Sequence, residues 1–194
     1  MSFTSTCADA DPADVDRLGG KGAGLARMTQ DGLRVPPGFV VSTDACRRYL
    51  AAGAMPDGLV EEVLARLAEL EQRTGRTFGA GPEPLLVSVR SGAPVSMPGM
   101  MDTVLDLGLG RDAAVALATA TGDVAFMADL VARFHTMYAE TVLGALDPSA
   151  EAVDPLPADP SEAYDRVWAA CEKALDDDCG ESVPDDPHAA QTRS

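Results

Sequence analysis

Two short stretches of this 194-residue chain hold residue types suited to handling a phosphate. The first is Leu18-Gly19-Gly20-Lys21-Gly22-Ala23-Gly24, where glycines surround one of the two lysines of the sequence at an expected helix start. Glycines let a backbone approach phosphate oxygens, and a helix N-terminus adds favourable partial charge. The spacing is not that of a Walker loop, because Val15 stands where its first glycine would fall and Lys21 is followed by Gly22 rather than Ser or Thr. It is not a dinucleotide fingerprint either, since no strong strand precedes it. On spacing alone a glycine-rich helix entry with a solvated lysine is the stronger reading.

The second stretch is Ser88-Val89-Arg90-Ser91-Gly92-Ala93. If Val87 and Val89 point inward, Ser88 and Arg90 share the opposite face of a strand, where a planar guanidinium can grip a phosphate. A solvated arginine on an exposed sheet face explains the same residues equally well. The adjoining loop, Pro94 to Thr103, contains Met97, Met100 and Met101 beside Pro98 and Gly99. Three methionines are costly to leave in water, so they are expected to cover either the core or a ligand. Over a nucleotide such a loop supplies backbone N–H groups and excludes water. Asp102 could orient a lysine or hold a metal, although a carboxylate opening a strand is more often a turn residue. His135 is expected at a helix surface or boundary, with Leu130, Phe134 and Tyr138 on the buried stripe. His188 falls in an expected disordered tail, and no metal site is assigned.

The elements that must position these residues can be read from pattern. Helices are expected at 21–30, closed by Gly32, and at 44–51 behind Thr43 as N-cap. Another is expected at 59–73, where Val60, Val63, Leu64, Leu67 and Leu70 make one stripe. Strands are expected at 39–42, 85–91 and 103–107, and further helices at 112–119 and 124–143. The class is α+β.

The chain changes character near Asp147. Residues 146–194 hold 13 acidic and 3 basic side chains, against 18 and 12 in residues 1–145. The division is therefore an amino-terminal subdomain, 1–145, and a Pro/Asp-rich part, 146–194. The latter comprises an extended linker at 154–160, one helix at about 161–175 and an acidic disordered tail. The formal net charge of −16 argues against nucleic acid and anionic membranes as partners. No run approaches a membrane span and the acidic start lacks a secretory pattern, so the chain is expected to be cytoplasmic. Four scattered cysteines without a Cys-x-x-Cys pair fit neither a disulfide framework nor a structural zinc.

Taken in order, several blocks resemble the amino-terminal nucleotide-binding part of the pyruvate, phosphate dikinases. They are Gly19-Gly20-Lys21-Gly22-Ala23-Gly24-Leu25-Ala26-Arg27-Met28, Gly32 to Phe39, Val87 to Ala93, and above all Ser96-Met97-Pro98-Gly99-Met100-Met101-Asp102-Thr103-Val104-Leu105. The last block separates this family from the related phosphoenolpyruvate synthases. The resemblance is good over about 15–145 and weak over 155–175.

It implies a partial ATP-grasp-like domain with a short mixed sheet and flanking helices. Lys21 and Arg90 would meet nucleotide phosphates as the catalytic cations, backbone groups at Gly99 and Met101 would lie over the polyphosphate, and Asp102 would be accessory. ATP is the implied ligand, with Mg2+ whose acidic ligands the family places beyond this chain. The family reaction converts ATP, pyruvate and phosphate to AMP, phosphoenolpyruvate and pyrophosphate through a phosphohistidine. Neither His135 nor His188 sits in a matching context, so activity would need a separate chain carrying the remaining dikinase domains. A non-catalytic truncated paralogue, serving as a binding or regulatory module, is the alternative.

Overall fold

The structure is a computed structural model that describes residues 2–91, 103–178 and 180–185. The chain forms two compact units, one built from residues 1–75 with 91–101 and the other from residues 76–90 with 102–194.

In the first unit, β1 (Thr4–Thr6) and β2 (Phe39–Val41) form an antiparallel pair in which Ser5 faces Val40. Helix α1 (Val15–Gln30) lies between them in sequence, and α2 (Thr43–Ala52) and α3 (Leu59–Thr74) follow. β1 has no alternation long enough to read from sequence. Glu62 of α3 holds it in place: its Oε2 accepts the backbone N–H groups of Phe3 and Thr4 and the hydroxyls of Ser2 and Thr4. Helix α2 is capped by Ser42, whose hydroxyl accepts the N–H of Ala45, so the expected cap at Thr43 moves one residue earlier. The apolar residues form two small clusters. Ala10, Leu18, Ala23 and Ala26 pack with Val40, and Phe3, Ala45 and Leu59 pack with Val63.

In the second unit, β3 (Val87–Arg90) pairs antiparallel with β4 (Thr103–Leu107). Helices α4 (Arg111–Thr121), α5 (Val124–Tyr138) and α6 (Pro160–Asp178) supply most of the core. The turn between β4 and α4 needs a glycine at 108. Its φ is 106°, and an added Cβ would lie 2.9 Å from the Phe78 ring. The expected helix over 124–143 divides, because Ala139–Leu143 widens into a π-helical turn.

The α+β class holds. Among the described residues the strands make two separate antiparallel pairs instead of one short mixed sheet, with a single parallel bridge between Phe78 and Leu85. Helix α6 buries Ala163, Tyr164, Val167, Cys171 and Leu175 at spacings of three and four. Each large apolar side chain so buried contributes about 1.5–3 kcal/mol, enough to make α6 an integral part of the unit.

The helix continues to Asp178 and the chain beyond it stays attached, with Val183 buried and Asp185 hydrogen bonded to Tyr164. Residues 176–178 and 180–185 therefore carry structure where the acidic composition suggests a disordered tail, because Leu175 and Val183 give them apolar anchors. Residues 186–194, including His188, lie outside the described residues.

Candidate functional site

Lys21 owes its place to a break in α1. Gly19 has φ 68° and ψ 166°, outside the helical region, so the helix restarts at Gly20 and Lys21 falls in the first turn of the restarted segment. Backbone N–H groups at such a start carry partial positive charge. The glycines that follow have separate roles. Gly22 faces β2, where a Cβ would come 2.9 Å from Val40 Cγ1. Gly24 is exposed, and a Cβ built there meets no heavy atom within 4 Å. Gly22 thus serves close helix–strand packing, and Gly24 leaves the outer face of α1 open to approach. The Lys21 ammonium donates to the Ser91 carbonyl at 3.1 Å, which uses one of its three protons.

Arg90 ends β3 in the second unit, opposite Thr103, and is exposed. The inward face assumed for Val87 and Val89 does not form, since Val89 is 41% exposed. A register shift between Val87 and Val89 twists the pair, and the core of this unit is filled by Val104 and Leu107 of β4 and by the helices. Gly99, Met101 and Asp102 lie outside the described residues. Among the described residues no group of three or more metal-ligating side chains occurs.

Sequence reasoning missed a polar cluster in the second unit. His135 is fully buried, contrary to its expected surface position. Its Nε2 lies 2.8 Å from Glu172 Oε1, and its ring meets Trp168 edge-on at 5.3 Å. The buried face of α5 is Met127, Val131, Phe134, His135 and Tyr138, rotated from the expected stripe. Burial pushes the His135 imidazole below its ordinary value, opposed by hydrogen bonding and charge from Glu172. Nearby, the Arg111 guanidinium forms a two-pronged bond with Asp165, and Asp185 accepts both the Tyr164 hydroxyl at 2.6 Å and the Arg111 N–H at 3.3 Å. The hydrogen bond from Arg111, ahead of its charge, holds the Asp165 carboxyl below its ordinary value. Burial first, then the bond to Asp185, pushes the Tyr164 phenol upward. The spacing Tyr164, Trp168, Glu172 at i, i+4, i+8 was the available signal for this face.

Comparison with known proteins bears on the first unit directly. Residues 15–63 match the family described as pyruvate phosphate dikinase, AMP/ATP-binding domain, a span that includes the Gly19 break, Lys21 and β2. The chain is 50% identical over 144 residues to a pyruvate, phosphate dikinase of Rhizobium meliloti, covering 74% of this chain and 16% of that protein. It is 48% identical over 140 residues to one of Entamoeba histolytica, covering 72% and 16%. With that of Giardia intestinalis the identity is 41% over 181 residues, covering 88% and 20%. The chain thus spans only a sixth to a fifth of the length of these relatives. By sequence it is similar, over about three quarters of its own length, to a part of the pyruvate, phosphate dikinases.

Proposed function

We propose that the chain is the ATP-binding part of a pyruvate, phosphate dikinase-like phosphotransferase, with a partial ATP-grasp-like fold. The observation that carries this reading is the match of residues 15–63 to an AMP/ATP-binding domain, across the very segment where α1 breaks and restarts under Lys21. The open face at Gly24 leaves room for a polyphosphate to approach the start of the helix. In this reading Lys21 and Arg90 each bind nucleotide phosphate oxygens, the backbone groups of Gly99 and Met101 cover the polyphosphate, and Asp102 is accessory. Cations and amide donors of this kind neutralise charge on a transferring phosphoryl group.

ATP is taken with Mg2+, whose ligands come from residues other than those described. Conversion of pyruvate and phosphate to phosphoenolpyruvate and pyrophosphate would draw on the rest of the length of the dikinases, of which this sequence spans a sixth to a fifth. Among the described residues no helix is long and apolar enough to cross a membrane. Calorimetric titration of the chain with Mg-ATP tests the proposal. A measurable affinity, with a thermal shift that grows with nucleotide concentration, supports it. No heat and no shift at millimolar nucleotide would leave the chain a non-catalytic module instead.

A further inference from the structure

The second unit contains a buried histidine whose surroundings disfavour its doubly protonated state. The Glu172 carboxylate can only accept hydrogen bonds, so His135 Nε2 must carry the proton it shares with Oε1. The remaining ring nitrogen, Nδ1, is buried and has no hydrogen-bond partner among the described residues. A second proton therefore has to enter at Nδ1, where it would become a buried donor without an acceptor. The same Glu172 Oε1 accepts the backbone N–H of Val183 at 3.1 Å, so the strap of residues 180–185 closes directly beside the imidazole. Among the described residues the strap is held by the Gly180 N–H on the Asp176 carbonyl of α6, the buried Val183 side chain, this N–H, and Asp185 on Tyr164 and the Arg111 backbone N–H.

We propose that His135, Glu172 and the strap form a pH-responsive latch, in which protonation of His135 at Nδ1 releases residues 180–185 from α6. Glu172 is the charged group that touches the imidazole. On α5, Asp129 and Arg133 pair with each other at the surface. On α4, Arg111 is engaged by Asp165, and on the strap Asp185 binds Tyr164 and the Arg111 N–H. Lys173, Asp176 and Glu181 line, with Glu172, a surface recess beside the strap. Through that recess water reaches the Glu172 carboxylate, whose side chain is partly exposed. The lowered proton affinity of His135 has the same sense, since the closed form holds the neutral ring. An opened, solvated histidine returns to a pKa of about 6.5. If the closed ring stays neutral, the open population should then rise about tenfold between pH 7.5 and 5.5 by linkage.

The latch is independent of nucleotide binding and is tested on the whole chain without ligand. Amide hydrogen exchange of residues 180–185, corrected for the intrinsic pH dependence of exchange, should show that tenfold rise. The fluorescence of Trp168, the sole tryptophan, should report the neighbouring protonation over the same range. His135→Gln should abolish both dependences, and His188→Gln should leave both intact. An unchanged dependence in His135→Gln, or loss of helical circular dichroism in step with strap opening, overturns the latch. Should His135→Gln fail to fold, Glu172→Gln decides the matter. Its amide oxygen still accepts both donors but no longer offsets an imidazolium, so at least the tenfold rise must persist, and a flat profile overturns the proposal.

Discussion

Gly22 lies so close to β2 that a methyl group in its place would stand 2.9 Å from Val40 Cγ1 and 3.2 Å from Cγ2. Valine is stiff at χ1 and cannot swing aside cheaply. Gly22→Ala should therefore destabilise the first unit by about 1–3 kcal/mol, the usual cost of overpacking. Gly24→Ala meets no atom and removes a helical glycine, so it should stabilise by about 0.5–1 kcal/mol. Denaturant unfolding of the two variants checks the contrast, and equal effects would show that α1 does not seat on Val40 as described.

Lys21 and Arg90 are predicted to act on nucleotide affinity with little effect on stability. The Lys21 bond to Ser91 is exposed, and such a contact contributes within about 0.5 kcal/mol. A charge-assisted bond to phosphate is stronger, so Lys21→Ala and Arg90→Ala should each lose about 1–3 kcal/mol of Mg-ATP affinity. Calorimetry measures the loss directly. If both variants bind as the unaltered chain does, the phosphate roles assigned to these residues are wrong.

Glu62 makes the first unit acid-sensitive. The Ser2 hydroxyl, followed by Thr4 and Phe3, holds its carboxyl below the ordinary glutamate value. A carboxylate whose folded pKa is depressed stabilises the fold fully above its unfolded pKa, about 4.3, and loses that contribution as pH falls through the folded value. Stability measured from pH 6 downward should thus decline below about pH 4.3, with β1 detaching from α3. Glu62→Gln should remove this part of the decline and start from a lower stability at neutral pH. A decline of the same size in Glu62→Gln would place the acid sensitivity elsewhere.

Periodicity made the long elements legible. Helix α3 was readable because its apolar residues repeat at three and four, and α6 because Ala163, Tyr164, Val167, Cys171 and Leu175 do the same. Lys21 was legible as a candidate because glycine and lysine are unusual together at a helix start. The division of labour between Gly22 and Gly24 was not, since it depends on where Val40 arrives from β2. Strand β1 was hidden for a similar reason: it is three residues long and fixed by a carboxylate about sixty residues away. His135 was misplaced because a polar residue beside a buried stripe reads as boundary until its partner, Glu172, is known from another helix. The docking of residues 180–185 was not legible because charge composition outweighs two apolar anchors in any count, while in the fold Leu175 and Val183 are buried.

Tyr164 and Asp185 offer a test of that docking in which the order of effects matters more than their size. The phenol is nearly fully buried and donates to Asp185, which is exposed on its other side. Tyr164→Phe removes the donor and leaves Asp185 with the Arg111 N–H and water, so it should cost about 0.5–1.5 kcal/mol. Asp185→Ala leaves a buried hydroxyl without its acceptor and should cost more, about 1–3 kcal/mol. With the phenol already gone, Asp185→Ala has no donor left to orphan, so the double variant should cost less than the sum of the two. Thermal unfolding of the three variants measures all of this. Additive losses, or a larger loss in Tyr164→Phe, would mean that the hydroxyl finds another acceptor and that the strap does not depend on this bond.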